Sequence, residues 1–303
     1  SSSSFELEFA DTLLPLSLKH LKVLTSTANL GDAKVKIVEY IDAQAVNNNN
    51  NNLTTTESEV FRFEKATSLS LENDLLRITL DEVGLIDSIH HKRHNRTEEV
   101  HLSFWVYHSE PGESGAYLFK SSKTKPVERL FTGLIKRNIT MYKGKLSSCL
   151  EVDFGDVGYS VRLHNSHSPI GAAIELRVKV NLEDKSARNN QEIVLRVSTP
   201  IRNLPPQTKG AEKLFRTFYV DSNGFQMLER QFVSEIGVEG NYYPMTTAIY
   251  IEDAASRLTI LSDSSHGATS PADGVIEIML DRRIIEDDKR GLSQGVLDNL
   301  LVE

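Results

Sequence analysis

The 303-residue chain has a single cysteine, Cys149. That excludes an internal disulfide and any zinc site built from four thiolates. Cys149 lies in the alternating stretch KLSSCLEVDF, where the role of a small buried apolar residue outweighs that of a nucleophile. No apolar run approaches the roughly 20 residues that cross a bilayer, and Ser1 to Ser4 carry neither a basic flank nor an apolar signal segment. Positive charge is not in excess: 34 Lys and Arg stand against 42 Asp and Glu, a formal charge of -8. This argues against a nucleic-acid partner, because phosphate recognition relies on clustered cations that release counterions. There is no Gly-x-Ser-x-Gly elbow and no Gly-rich phosphate loop opening a helix. Helical spacing of apolar residues is hard to find over any useful window.

What is present is alternation with a period of two. FELEF at Phe5, AKVKIVEY at Ala33, EVFRFEK at Glu59, LLRITLD at Leu75, AAIELRVKVNL at Ala172 and EIVLRVS at Glu192 each put apolar side chains on one face and polar ones on the other. DEVG before Leu85, MYKGK before Leu146 and DSNG before Phe225 are turn signals, with Gly supplying positive φ and Asp or Asn bonding the backbone. With 39% hydrophobic and 25% charged residues, the chain is ordinary for a soluble globular protein. The fold expected is all-β, antiparallel β-sandwiches with little helix. The polar tract Asn47 to Asn52, continued by Leu53 and Thr54 to Thr56, cannot bury enough apolar surface to offset its ordering entropy. The expected organisation is a partial small β-domain over 1–46, a low-complexity loop over 47–58 and a large β-sandwich over 59–303. Ser198 to Lys213, rich in Pro, Lys and Gly, reads as a surface connection.

Several groups of residues could carry chemistry. His90, His91 and His94 cluster in HHKRHNR, but Lys92, Arg93 and Arg96 oppose a cation there, so a hairpin tip is favoured over a metal site. Asp287 and Asp288 form a carboxylate pair able to hold sugar hydroxyls. On an extended strand they would point apart, poorly placed as a glycosidase acid and nucleophile, so a turn salt-bridged to Arg282, Arg283 and Arg290 is the simpler reading. In SFWVYHSEPGESGAYLF, Phe104, Trp105, Val106 and Tyr107 fit the two faces of a core strand. Tyr117 follows the turn PGESG and could project into a cleft, where a phenol bonds a hydroxyl. Sequons at Asn52, Asn95 and Asn138 would permit N-glycosylation in a secretory compartment.

Six collinear blocks then carry a resemblance: SGAYLF from Ser114, FYVDSNGFQMLERQ from Phe218, GNYYPMTTAIYIED from Gly240, RLTILSD from Arg257, DGVIEIMLDRR from Asp273 and EDDKRGLSQGVLDN from Glu286. Together they resemble the C-terminal β-rich portion of the class II α-mannosidases, glycoside hydrolase family 38, and most of all its Golgi branch. The weaker FELEFADTLLPLSLKHLKV resembles the strand closing that family's first small β-domain. The resemblance implies a sandwich of the galactose-mutarotase-like type and membership of a retaining, zinc-dependent mannosidase that trims N-glycans in the secretory lumen. It places that activity in the Golgi, with the lysosome as the alternative. It also implies that the zinc ligands, nucleophile and acid/base aspartate belong to an N-terminal α/β barrel. Nothing here matches the family's HNDPGW-like zinc signature, so no catalytic residue, metal ligand or cofactor is expected in this chain. The implied contribution is the β-side wall of the mannose pocket: the Tyr117 hydroxyl, Arg290 through its backbone carbonyl, and Asp287 and Asp288 fixing that loop. The chain is expected to begin and stop inside a larger body, exposing unpaired strand edges. Two other functions remain open at this point, a non-catalytic carbohydrate-binding sandwich and a purely structural relative.

Overall fold

The computed structural model describes residues 35–40, 61–65, 69–132, 138–182, 186–204 and 215–297. The FELEF segment, the tract at 47–58 with Asn52, and positions 205–214 of the long connection lie outside the described residues. The first strands are β1 (Val35–Tyr40), β2 (Phe61–Lys65), β3 (Ser70–Glu72), β4 (Leu76–Leu80), β5 (Ile86–His91), β6 (Arg96–Glu99) and β7 (His101–His108). There follow β8 (Glu128–Arg129), β9 (Asn138–Lys143), β10 (Ser147–Asp153), β11 (Val157–His164), β12 (Glu175–Val180) and β13 (Gln191–Ser198). The rest are β14 (Arg216–Ser222), β15 (Gln226–Phe232), β16 (Tyr243–Met245), β17 (Ala248–Glu252), β18 (Arg257–Leu261), β19 (His266–Thr269) and β20 (Val275–Arg283). Among the described residues the only helical pieces are short 3-10 turns.

These strands form four sheets, ordered β12-β11-β10-β9-β1-β2, β16-β19-β20-β13-β7-β8, β15-β14-β17-β18 and β3-β4-β5-β6. The paired strands are antiparallel except β1 and β2, which run parallel. β1 lies between β2 and β9, so the division after residue 46 runs between two strands of one sheet. The period-two pattern has its expected cause in β4 and β11, which alternate strictly between buried and less buried positions. Cys149 is buried in β10. The histidine cluster spans the β5 to β6 hairpin, with His90 Nδ1 2.9 Å from Thr97 Oγ1. The turn signals also form. Between β14 and β15, Asn223 (φ 50) and Gly224 (φ 72) adopt the left-handed pair that a tight hairpin demands. The Asp221 carboxylate accepts the Gly224, Thr247 and Ala248 N–H groups at 2.9, 2.8 and 3.0 Å, joining that hairpin to β17.

One hydrophobic cluster packs β4, β10 and β11 against β7 and β13, with Ile78, Leu150, Leu163, Phe104 and Ile193 fully enclosed. A second gathers Phe218, Val220, Ile249, Ile276 and Met245. The sheet containing β7, β13 and β20 has two unlike faces. Register places Phe104, Leu195 and Ile278 on the apolar face, and Trp105, Tyr107, Glu192, Arg196 and Glu277 on the other. A register shift opposite Ile193/Val194 adds one residue to β20, which returns Arg282 to the polar face shared by Glu277. The segment after β7 rests on this polar face.

Candidate functional site

At the centre of the polar face lies Glu277, with no exposed surface. Its carboxylate accepts the Tyr107 hydroxyl at 2.9 Å and the Tyr242 hydroxyl at 2.5 Å, and it pairs with the Arg196 guanidinium. Burial and the nearby Glu277 charge push both phenols well above their ordinary range, so both act as donors. Arg196 also lies over the Trp105 ring, 4.2 Å from its centroid. Phe119 closes the layer from above, with edge contacts to Tyr107 at 5.5 Å and Tyr242 at 5.6 Å between centroids. Phe119 lies two residues beyond Tyr117. Farther along, Glu239 takes Lys120 Nζ at 2.6 Å and Ser121 Oγ at 3.1 Å.

The turn that presents Tyr117 is held by Asp288. One oxygen of this buried carboxylate accepts the N–H groups of Tyr117 at 2.7 Å and Leu118 at 3.1 Å, and the other accepts Arg290 N–H at 3.1 Å. One side chain thus ties the Tyr117 turn to the Arg290 loop. Burial works against ionisation of Asp288, but the N–H groups of Tyr117, Arg290 and Leu118 outweigh it and hold the carboxyl below its usual range. Gly115 makes the approach possible: a Cβ there would lie 2.5 Å from the Asp288 backbone nitrogen and 2.7 Å from its Cβ. Lys289, between the two loop residues, adopts a left-handed φ of 58°.

Of the residues singled out by sequence, Tyr117 is 62% exposed and Arg290 is exposed, while Asp288 is turned inward. Asp287 is half-buried. Its Oδ2 accepts Lys289 N–H at 3.0 Å, and its Oδ1 is enclosed without a hydrogen-bond partner. The expected turn salt-bridged to Arg282, Arg283 and Arg290 is corrected here. Asp288 spends its oxygens on backbone N–H groups, Arg282 pairs with Glu192 at 2.7 Å, and Arg283 donates to Asn189 Oδ1 at 2.9 Å. Nor do the two aspartates sit on an extended strand, since β20 ends at Arg283. Sequence reasoning missed Gly115, Glu192, Arg196, Tyr242, Glu277 and the pairing of Arg282. The available signal was a pair of charges, Glu192 and Arg196, four apart in an otherwise apolar strand.

Tyr117 and Arg290 stand on an open ledge. Two clefts lie elsewhere, about 550 Å³ over β9 to β12 and about 680 Å³ between β6, β12 and β18, and neither is lined by these two residues. Among the described residues no three His, Cys, Asp or Glu side chains gather to hold a metal. The zinc that the resemblance implies therefore does not fit the described residues, and its ligands would have to come from elsewhere.

An exposed phenol and an exposed arginine loop are thus joined, on a β-fold, by one buried carboxylate. The chain belongs to the glycosyl hydrolases of family 38, whose C-terminal domain matches residues 71–290. It is similar to alpha-mannosidase 2 of Rattus norvegicus, 32% identical over 306 residues, which cover 99% of this chain and 24% of that protein. Alpha-mannosidase 2 of Drosophila melanogaster is 36% identical over 225 residues, 73% of this chain and 18% of that one. The chain thus spans about a quarter or less of the length of these curated relatives. The crystal structure of an alpha-mannosidase from Enterococcus faecalis V583 shares the fold, with a TM-score of 0.55 at 11% identity, covering 78% of this chain and 28% of that one.

Two outcomes follow from this geometry. Gly115→Ala should lower stability by about 1–3 kcal/mol in urea unfolding, because the added methyl meets backbone that cannot yield; an unchanged midpoint would show that the loops do not touch. The second concerns Glu192, whose carboxyl burial pushes up to about 7 against the pull of Arg282 and Ser109, with Asp281 raising it further. A carboxyl raised in the folded state contributes stability that is complete below its ordinary value of 4.5 and is lost as pH climbs through about 7. Glu192→Gln should therefore gain on the wild type by up to about 3 kcal/mol between those limits. Urea midpoints measured at stepped pH check this, and a constant difference would count against it.

Proposed function

We propose that this chain is the β-side wall and scaffold of a retaining, zinc-dependent α-mannosidase that removes terminal α-mannose during N-glycan processing. In this reading the Tyr117 hydroxyl bonds a mannose hydroxyl, and Arg290 reaches the same sugar through its backbone carbonyl. Asp287 accepts Lys289 N–H and so helps to fix the Arg290 loop, and Asp288 keeps both loops in register. The observation that carries the reading is the Asp288 clamp, which ties the backbones of the two implied contacts together although 173 positions separate Tyr117 from Arg290 by subtraction of their numbers. Family membership supplies the substrate class.

The nucleophile, the acid/base group and the zinc ligands belong, in this proposal, to an N-terminal catalytic barrel of the same precursor. Retention of configuration requires one carboxyl to attack the anomeric carbon and another to protonate the leaving oxygen and then activate water. This chain's part is orientation: a fixed phenol and carbonyl hold the ring so that the attack can be in line. The proposed compartment is the secretory lumen, Golgi with lysosome as alternative. There Asn95 is a candidate for glycosylation, since it is exposed at the β5 to β6 hairpin tip with a left-handed φ of 49°. Asn138 opens β9, and Asn52 remains a candidate from its sequon alone.

Activity on an aryl α-mannoside tests the proposal. The 303-residue chain alone should neither turn over nor hold stoichiometric zinc, whereas the whole enzyme containing it should hydrolyse the substrate. There Tyr117→Phe should lower kcat/KM roughly tenfold to a hundredfold, the worth of one hydrogen bond to a polar ligand. Turnover by the chain alone would refute the wall assignment, and saturable mannose binding to it, lost in Tyr117→Phe, would favour the carbohydrate-binding module instead. For the compartment, material secreted from a eukaryotic host should lose one glycan mass on peptide-N-glycosidase treatment and fail to do so in Asn95→Gln. An unmodified Asn95 in such material would remove it as an acceptor.

A further inference from the structure

Arg282 touches the presenting turn from the side opposite Asp288. Its Nη2 lies 2.7 Å from Glu192 Oε1, 3.1 Å from Leu118 O and 3.5 Å from Ser114 Oγ. Leu118 O also accepts Gly115 N–H at 2.9 Å and Ser114 Oγ–H at 3.2 Å. The turn from Gly115 to Leu118 is thus held between an anion on its N–H groups and a cation on its carbonyl, a polarity that suits the peptide dipoles on each side. Glu192 is 2% exposed, so its carboxyl needs a fixed hydrogen-bond donor. The guanidinium meets this need through Nη2, whose N–H vectors are fixed in the plane of the group and reach both Glu192 Oε1 and Leu118 O, while Nε is enclosed without a partner.

We infer that Arg282 is a positioning residue for Tyr117: anchored by buried Glu192, it fixes the carbonyl of the turn that presents the Tyr117 side chain. This deepens, and rests on, the assignment of Tyr117 to the sugar-binding wall. A lysine does not reproduce this, because its ammonium turns freely at the end of a flexible stem and fixes no pair of N–H vectors in one plane. The effect is local. Asp288 holds the N–H side of the turn without Arg282, so loss of the guanidinium loosens the turn without unfolding the sheet beneath.

Residue-level hydrogen exchange on the full 303-residue chain reads this directly. Arg282→Lys should speed exchange at the Tyr117 and Leu118 amides about tenfold or more, while Ile78 in β4 and Leu150 in β10 keep their rates. Should that variant fold poorly, the double variant Glu192→Leu, Arg282→Met replaces the ion pair with apolar groups, an exchange that buried pairs tolerate when both members change together. It should show the same local loosening. Unchanged Tyr117 and Leu118 amides in a folded variant would overturn the inference, as would acceleration spread evenly through β4 and β10. In the whole enzyme, Arg282→Lys and Tyr117→Phe should each lower kcat/KM and combine less than additively, since both act through one side chain. Local loosening with unaltered kcat/KM would uphold the positioning role and refute the sugar-binding role of Tyr117, so the two failures are distinguishable.

Discussion

The arrangement of the site depends on one buried carboxylate, Asp288, which is 5% exposed. Asp288 lies in a loop that follows the last strand of its sheet, and its three acceptor contacts are all to backbone N–H groups. A lost turn hydrogen bond costs a domain little when water can replace it, but water cannot reach this carboxylate easily. The Tyr117 turn and the Arg290 loop therefore move together. Gly115 is the steric condition for that coupling, because any side chain there would occupy the space of Asp288 itself.

Beneath the clamp, the sheet formed by β7, β13 and β20 solves a packing problem in an unusual way. Most buried sheets present apolar side chains to both neighbouring layers, but here one face carries two carboxylates, two guanidiniums and two phenols. Glu277 alone is served by Arg196, Tyr107 and Tyr242. Such a network is no more stable than an apolar layer of the same volume, and removing one ion-pair partner leaves an uncompensated charge while removing a phenol leaves an acceptor short of a donor. What it does supply is direction. Phenols, guanidiniums and carboxylates bond along fixed vectors, so Phe119 and the chain on either side settle in one place.

The fold was legible where one face of a strand meets the core and the other meets a wetter surface. LRITL in β4 and VGYSVRLH in β11 alternate strictly, and that alternation names the strand and its inward face together. It does not name the partner. The parallel pairing of β1 with β2, and the register that sets Glu192 opposite Arg282, come from distant segments and leave no mark on local periodicity. The same limit explains the site. The resemblance names Tyr117 and Arg290 but does not distinguish Asp288 from Asp287, because what separates them is three backbone donors contributed by two loops. The charges of MLDRRIIEDDKRG suggested mutual pairing, whereas the structure sends Arg282 to β13, Arg283 to Asn189 and Asp288 to the backbone. Proximity in sequence was the misleading cue: a strand end is where neighbouring side chains diverge.

On the proposed function, a wall with a single side has consequences for affinity. Tyr117 stands largely in solvent, and an exposed hydroxyl gains little by exchanging water for a sugar hydroxyl. The same contact is worth more once a second surface excludes water and lowers the local dielectric. Edges elsewhere in the chain raise the same question of a missing neighbour: β6, β12 and β18 are each the outer strand of a different sheet among the described residues, and all three line the cleft of about 680 Å³. Leu258, Ile260 and Leu261 bring apolar surface to it, with Leu261 76% exposed. Free edges beside apolar surface favour strand addition or aggregation unless they are covered. The buried charge layer points the other way, toward a part that keeps its own shape. Such a part holds the Tyr117 turn in place by itself, so the ordering entropy of that turn is met by the fold.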